Sequence, residues 1–334
     1  MSRRARILGR RGERGAALLT AMIIVALVAT LAGSMVWQQW RAIQVEAAER
    51  ARMQSAWILV GALDWARLIL REDARGSGGV DHLGEPWAVP LAEARLSTFL
   101  AADKDNTEDA PDAFLSGAIT DAQARYNLTN LLSGTGGGID PLEMAALQRL
   151  CESVGVSADV ATRIAVALRD AAPPPAVDPA ASGTPAIAAP AVADPPLMPK
   201  STAQLTWLGI DAEALRTLEP YITVLPERAW VNANTASREV LAAAAGIDAA
   251  TAESIVQSRQ RVPLKSIGDL KALAPGIAAD VLGHLAVGSN FFEIRGRLRL
   301  ADVVLEQRSL VKRAGTEVIV RHRERVSARE QSGS

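Results

Sequence analysis

Residues 16–40 contain no charged side chain, and they follow a 15-residue segment holding six arginines and one glutamate. That uncharged stretch is 25 residues long. A helix crosses a bilayer with about 20 apolar residues, so this stretch is long enough to span one. The basic residues before it stay on the cytoplasmic side, which places everything after it outside the cytoplasm. The chain as a whole has a formal net charge of −1. Residues 1–15 contribute positively, so the remainder is mildly acidic, a poor balance for non-specific nucleic-acid binding. Cys151 is the single cysteine. No intrachain disulfide can form, and the fold must rest on its apolar core. The 334 residues suit two compact domains of about 100–200 residues each.

The apolar run has three readings. A secretory signal has an apolar region of about 7–15 residues followed by a small-x-small cleavage site; this run is longer and continues into a helical pattern. An uncleaved anchor is the plainest reading. The third is a prepilin-type leader, cut before the apolar run at Gly15–Ala16. The arginine-rich start, the small pair and the immediate apolar onset suit it.

The helical pattern does not stop at the membrane face. Val45, Ala48, Arg52, Ala56, Leu59, Leu63, Ala66 and Leu70 recur at spacings of three and four, which predicts one face packed on a domain. Trp37 and Trp40 stand where an interfacial aromatic belt belongs, and Trp57 and Trp65 read as packing residues. One helix of about 80 Å, at 1.5 Å per residue, is expected to be half in lipid and half in a globular domain. Gly76, Gly78 and Gly79 end it.

Beyond the glycines the chain reads as loop, with a short helix expected at 91–101. Residues 114–121 read as a strand and 124–128 as its return partner. Asn127 and Asn130 are expected to tie down the exit turn. The glycines at 134 and 136–138 lack the Lys-Ser/Thr of a P-loop and read as a joint. From Asp140 to His284 the period is helical, opened by Asp140-Pro141-Leu142-Glu143. Residues 173–200 are a proline–alanine linker. After Gly288 the period becomes two: Phe292, Ile294, Gly296, Leu298 and Leu300 alternate with Glu293, Arg295, Arg297 and Arg299. Further strands at Val303–Leu305 and Val318–Val320 complete an antiparallel meander packed on the first helix.

No catalytic set assembles. His82, His284 and His322 lie in no ligand-spaced motif, so no catalytic residue is assigned. The acidic run at 103–109 is the one hard-cation candidate, and a solvated acidic loop is its plainer reading. The stretch 232–284 resembles helix-hairpin-helix modules that present turn amides to DNA phosphates. Both turns, Gly246-Ile247-Asp248 and Gly276-Ile277-Ala278, lack the second glycine, and Asp248 would repel a phosphate. Nearby Arg259, Arg261 and Lys265 are matched by Asp248, Glu253, Asp269 and Asp280, whereas DNA binding needs a basic face.

Taken together, the segments resemble the K component of the type II secretion system, a minor pseudopilin family. The resemblance rests on Arg14-Gly15-Ala16-Ala17-Leu18-Leu19-Thr20, on Asp81-His82-Leu83-Gly84-Glu85-Pro86-Trp87, and on Gly117-Ala118-Ile119-Thr120-Asp121 leading to Arg125-Tyr126-Asn127-Leu128-Thr129-Asn130-Leu131. It continues in Leu218-Glu219-Pro220-Tyr221, Asn232-Ala233-Asn234-Thr235-Ala236 and Ser289-Asn290-Phe291-Phe292.

The resemblance implies an α+β fold: a pilin-like long N-terminal helix on a small antiparallel sheet, with a large inserted all-helical domain. The implied division is a leader at 1–15, the transmembrane half of the helix at 16–40 and the first pilin-like part at 41–138. The insert follows at 139–286, then the second pilin-like part at 287–323 and a disordered tail at 324–334. Cleavage by the prepilin peptidase between Gly15 and Ala16 is implied, and so is assembly with I- and J-type minor pseudopilins at a pseudopilus tip. The mature domain is then periplasmic, anchored in the inner membrane, non-enzymatic and without a nucleic-acid partner. Most pilins carry glutamate at the fifth mature position; here that position is Thr20, which suits a subunit with no neighbour above it. The resemblance also brings in calcium, but residues 169–170 run straight into the proline–alanine linker and no ligand is assigned. A minor pilin-like factor of a type IV pilus, or a membrane-tethered helix-hairpin-helix DNA receptor, is the alternative.

Overall fold

The computed structural model describes residues 12–96, 113–133, 138–172, 196–300 and 303–326. The end of the helix expected at 91–101, the acidic run at 103–109, residues 134–137, most of the linker and the last eight residues lie outside them. The chain divides into two compact units, Met1–Ile58 and Leu59–Ser334.

Helix α1 runs Gly12–Gly76, 65 residues without a proline. In the first unit its residues 15–50 are all exposed, with a mean hydropathy of 2.4 over the most apolar window. Leu19, Ile23, Leu27 and Leu31 face outward at one-turn spacing. A helix that is apolar on every side needs lipid or other helices around it. Its hydroxyls are satisfied internally: Thr20, Thr30 and Ser34 donate to the carbonyls of Ala16, Leu27 and Leu31 at 2.8, 2.9 and 2.8 Å. That internal pairing is what a hydrocarbon solvent demands.

In the second unit α1 ends where Gly78 and Gly79 take positive φ angles of 62° and 86°, a backbone region that glycine enters without steric cost. A five-stranded antiparallel sheet follows, in the order β1-β2-β7-β8-β9. Its strands are β1 (Leu91–Arg95), β2 (Ala113–Asp121), β7 (Phe291–Leu300), β8 (Val303–Ala314) and β9 (Glu317–Val326). Leu63, Ala66 and Leu70 of α1 pack with Trp87, Ile119, Phe292, Ile294, Val311 and Val318 to form its core. Trp87 meets Phe292 edge to face at 5.2 Å, and Arg67 clamps the Val318 carbonyl at 2.9 and 2.7 Å.

The meander read from the alternation is present, and two further strands extend it. Residues 91–95 form an edge strand rather than the start of the expected helix. Residues 124–128 do not return along β2. Instead β3 (Tyr126–Asn127) pairs in parallel with β4 (Ile222–Thr223), and β2 pairs with β7 in register from Ala113↔Leu300 to Asp121↔Phe292. Strand β9 runs three residues into the stretch expected to be a tail.

Between β2 and β7 the chain builds the helices α2 (Pro141–Ser153), α3 (Ala158–Ala171), α4 (Ala212–Leu218), α5 (Arg238–Ala245), α6 (Ala249–Arg261), α7 (Ile267–Leu273) and α8 (Ala279–Leu282). A second parallel ladder, β5 (Val231–Asn232) with β6 (Leu285–Ala286), closes this part. Most helix starts carry a side-chain cap that satisfies amides with no intrahelical partner. Asp140 accepts from Leu142 N at 3.1 Å, Asp248 from Thr251 N at 2.9 Å, and Ser266 with Asp269 forms a capping box. The shared core includes Leu147, Leu150, Ile164, Leu168, Val240 and Leu241, and it already takes in Tyr126, Leu128 and Leu131.

Candidate functional site

The residues marked for leader cleavage, Gly15 and Ala16, lie exposed in the helical first unit. Thr20 sits one turn on, and its hydroxyl donates to the carbonyl of Ala16 at 2.8 Å. A glutamate there would need an outside cation in lipid. Threonine completes its own hydrogen bond and needs none.

In the second unit the polar chemistry concentrates around Arg313. Its guanidinium donates to Asp73 at 2.8 Å, to Asp81 at 2.6 Å and to the Ser289 carbonyl at 2.9 Å. The other Asp81 oxygen accepts from Ser289 N at 2.7 Å. Glu85 accepts from His82 N at 2.9 Å and from the Trp87 indole at 2.7 Å. Burial, then Glu85, pushes Asp73 up to about 6, against the pull of Arg313. Oxygens of Asp73, Asp81 and Glu85 lie within 4.8 Å of one another, which invites comparison with a calcium site. The fit is poor, because the guanidinium is already the cation between Asp73 and Asp81. The cluster is a buried ion group that ties α1 to β8.

Asp121 is a second hub. It accepts from Thr235 and Ser289 hydroxyls at 2.6 Å each, from Asn232 at 3.0 Å and from Gln123 N at 2.7 Å. Burial raises its pKa against those bonds. Asn127 and Asn130 do more than tie a local turn. Asn127 accepts from Leu225 N at 3.0 Å and donates to the Glu227 carbonyl at 2.9 Å, while Asn130 bonds both polar groups of the Ala229 backbone. These asparagines lock the exit of β2 to the strand-like run 222–232.

The histidines fall in three settings. His284 Nδ1 lies 2.7 Å from Glu143, and its ring stacks on Trp230 at 4.4 Å. His82 caps Gly84 N at 3.1 Å, and His322 lies 3.7 Å from Glu324. Cys151 is buried, and burial pushes its thiol up to about 11, far from the reactive range. In the stretch resembling a DNA-gripping module, Asp248 occupies the amides of Ala250 and Thr251. Arg259 is buried on the carbonyls of Ala233 and Ala236, and the half-buried Lys271 donates to those of Pro275 and Ile277.

The second unit also presents an apolar surface. A groove of about 270 Å³ opens between α1 and the sheet, walled by Leu59, Trp65, Ile69, Trp87 and Leu91 and floored by the paired Gly117 and Gly296. Trp65 and Leu68 on the helix, and Val89 at the rim, are 49%, 40% and 70% exposed. Exposed apolar surface rimmed by charge marks association sites.

Comparison with known proteins agrees with this picture of an assembly subunit. Family models described as type II secretion system protein K match residues 124–227 and 231–288. Protein K of Pseudomonas aeruginosa is 30% identical over 305 residues, covering 88% of this chain and 86% of that protein. The Pectobacterium carotovorum protein K is 27% identical over 334 residues, covering 93% of this chain and 96% of its own. A crystal structure of the GspK–GspI–GspJ complex from enterotoxigenic Escherichia coli contains a chain with a TM-score of 0.63 and 20% identity, covering 84% of this chain and 99% of that one. The two units, the helix and sheet, and the long helical excursion between β2 and β7 thus sit in a known setting: this chain belongs to the family of type II secretion system protein K.

Proposed function

We propose that this chain is a minor pseudopilin at the tip of the type II secretion pseudopilus, where it initiates assembly and supports export of folded proteins across the outer membrane. It is cut by the prepilin peptidase between Gly15 and Ala16. A single pass then holds it in the inner membrane with its second unit periplasmic. Its partners are I- and J-type minor pseudopilins.

One observation carries the reading. The 59–76 part of α1 spends one face on the sheet, through Leu63, Ala66 and Leu70, and leaves Trp65 and Leu68 open beside an apolar groove. A partner's apolar helix fits that surface, and the solved relative was crystallised with I- and J-type chains. The self-satisfied Thr20 supports an end position, since it asks for no amine from a subunit above.

The test is co-expression of the full chain with the I- and J-type pseudopilins of the same organism, followed by purification from membranes. A ternary complex is expected. Trp65→Glu is expected to weaken it about tenfold, as loss of an interface anchor does, while leaving the thermal midpoint of the isolated chain in place. No complex with either partner would overturn the reading. A mature chain that retains Met1 would overturn the cleavage.

A further inference from the structure

Strand β8 turns every second residue towards α1, and its buried positions on that side are Gln307, Ser309, Val311 and Arg313. Val311 belongs to the apolar cluster, and Arg313 has its carboxylates. Gln307 and Ser309 have neither. They are 6% and 2% exposed, and the Gln307 amide donates to the Ser309 hydroxyl at 3.4 Å, the weak end of hydrogen-bond geometry. Among the described residues the Gln307 carbonyl oxygen accepts from nothing and the Ser309 hydroxyl donates to nothing. Buried polar groups without partners destabilise a fold, so two at core positions ask for a reason.

Both side chains line the groove between α1 and the sheet. That groove exists because small residues oppose one another across it. Ala62 and Ala66 come from the helix. Below them one cross-strand row runs Leu91, Gly117, Gly296, Gln307. It has an apolar end, two positions without a side chain, and then an amide.

We propose that this groove takes one aromatic side chain with a hydrogen-bonding tip, a tyrosine or a tryptophan, from an I- or J-type partner. The inference rests on the assembly reading and names the anchor which that reading needs. At about 270 Å³ the groove is smaller than the ~300–1,000 Å³ of pockets for drug-sized ligands, and it has room for one large side chain. A ring lies over the two glycines. Its O–H or N–H donates to the Gln307 carbonyl, and a phenol oxygen also accepts from Ser309. An aliphatic side chain or an acyl chain would fill the apolar end and leave the amide unpaired. Aromatic residues with a polar tip are common interface anchors for this reason. The mouth of the groove is continuous with the surface already assigned to the partners, since Trp65 and Val89 line both.

The test uses the full chain with the I- and J-type pseudopilins of the same organism, purified from membranes, with affinities read in detergent. Gln307→Leu is expected to keep or raise the thermal midpoint of the isolated chain, because it removes an unpaired buried group. It is nevertheless expected to weaken the complex about tenfold. Ala62→Phe, which fills the groove from the helix side, is expected to weaken it by a similar factor. Each tyrosine and tryptophan of the two partners is then replaced by phenylalanine, which keeps a ring and lacks the tip. One of these changes is expected to weaken binding to the natural chain about tenfold and to have no further effect on the Gln307→Leu chain, the signature of direct coupling. Affinities within about twofold of the natural chain in both variants would overturn the proposal. Weakening by Ala62→Phe with no coupled partner aromatic would overturn it too, because the occupant would then be an aliphatic side chain or an acyl chain. Absence of any complex sinks the assembly reading and this inference with it, whereas a complex that forms and ignores both variants sinks this inference alone.

Discussion

The sheet core and the helical core of the second unit are held together by different physics. Among the described residues the cluster around Trp87 and Phe292, between α1 and the sheet, gathers nine buried apolar side chains, and the cluster of the helical part gathers thirty-two. The smaller cluster has a buried ion group beside it. It is pinned by Arg313, which reaches back 232 residues to Asp81 and 240 residues to Asp73. The helical core is filled by side-chain volume: α2 lies against both α3 and α5, helix starts are capped from within, and leucines such as Leu147, Leu150 and Leu168 fill the middle. The sheet part is therefore expected to be sensitive to charge, and the helical part to volume.

The sharpest way to break that contrast is Arg313→Met. It leaves Asp73 and Asp81 buried without their cation, a change that costs about 3–5 kcal/mol in comparable ion groups. Urea denaturation of the full chain in detergent, followed at a sheet-proximal probe, is expected to lose that much. Adding Asp73→Asn and Asp81→Asn to the same chain is expected to recover part of it, because the stranded charges are removed together. A loss below about 1 kcal/mol would place Arg313 with ordinary surface pairs and end the distinction.

The converse substitution, Leu150→Ala, opens a void in the helical core, where Leu150 is 0% exposed. Large-to-small changes of this kind cost about 2–5 kcal/mol. The loss is expected in the transition of the helical part, with the charge dependence of the sheet part unaltered. A shift in the salt or pH response of this variant would mean that the two cores unfold as one.

How far the sequence revealed these two regions follows the same division. Helix starts are local signals: Asp140-Pro141, Asp248 and Ser266 with Asp269 each announce a cap within four residues, and the first of them was read as one. The strands β7 to β9 were legible because polar and apolar residues alternate along them. Strand β1 was not. Its Leu-Ala-Glu-Ala-Arg is built of good helix formers, and it is a strand because β2 offers an edge and Glu93 reaches Arg299 at 2.6 Å. The partner of β2 was also misread, since the return strand is β7, on the far side of the helical excursion. In the sequence the Lys-Arg-Ala-Gly run at 312–315 reads as a turn between two strands, and Arg313 passes as one of its residues. Its signal lay in phase: it stands two residues after the buried Val311, on the same face of β8. The acidic half of the site, Asp81 to Trp87, stood out only as a shared segment, and nothing local connected it to Arg313. Pairings made across 150 or more residues leave no periodic trace for a single sequence to show.

The smallest expected effect is a pH slope. Asp73 titrates at about 6 in the fold against an ordinary 3.8. A raised carboxylate pKa means that the folded chain holds more protons than the unfolded chain between those values, so this group's contribution to stability falls as pH rises from about 4 to about 6. Below the ordinary value both states are protonated, and above the folded value both are ionised, so the slope flattens at either end. Asp73→Asn is expected to remove this share of the slope when urea midpoints are compared across that window. Leu150→Ala is expected to keep it, because nothing in its surroundings titrates with Asp73. An unchanged slope in Asp73→Asn would mean that Asp121 and Glu143, whose pKa values burial also raises, carry the response. The charge sensitivity would then belong to the junction with the helical part, not to the Arg313 cluster.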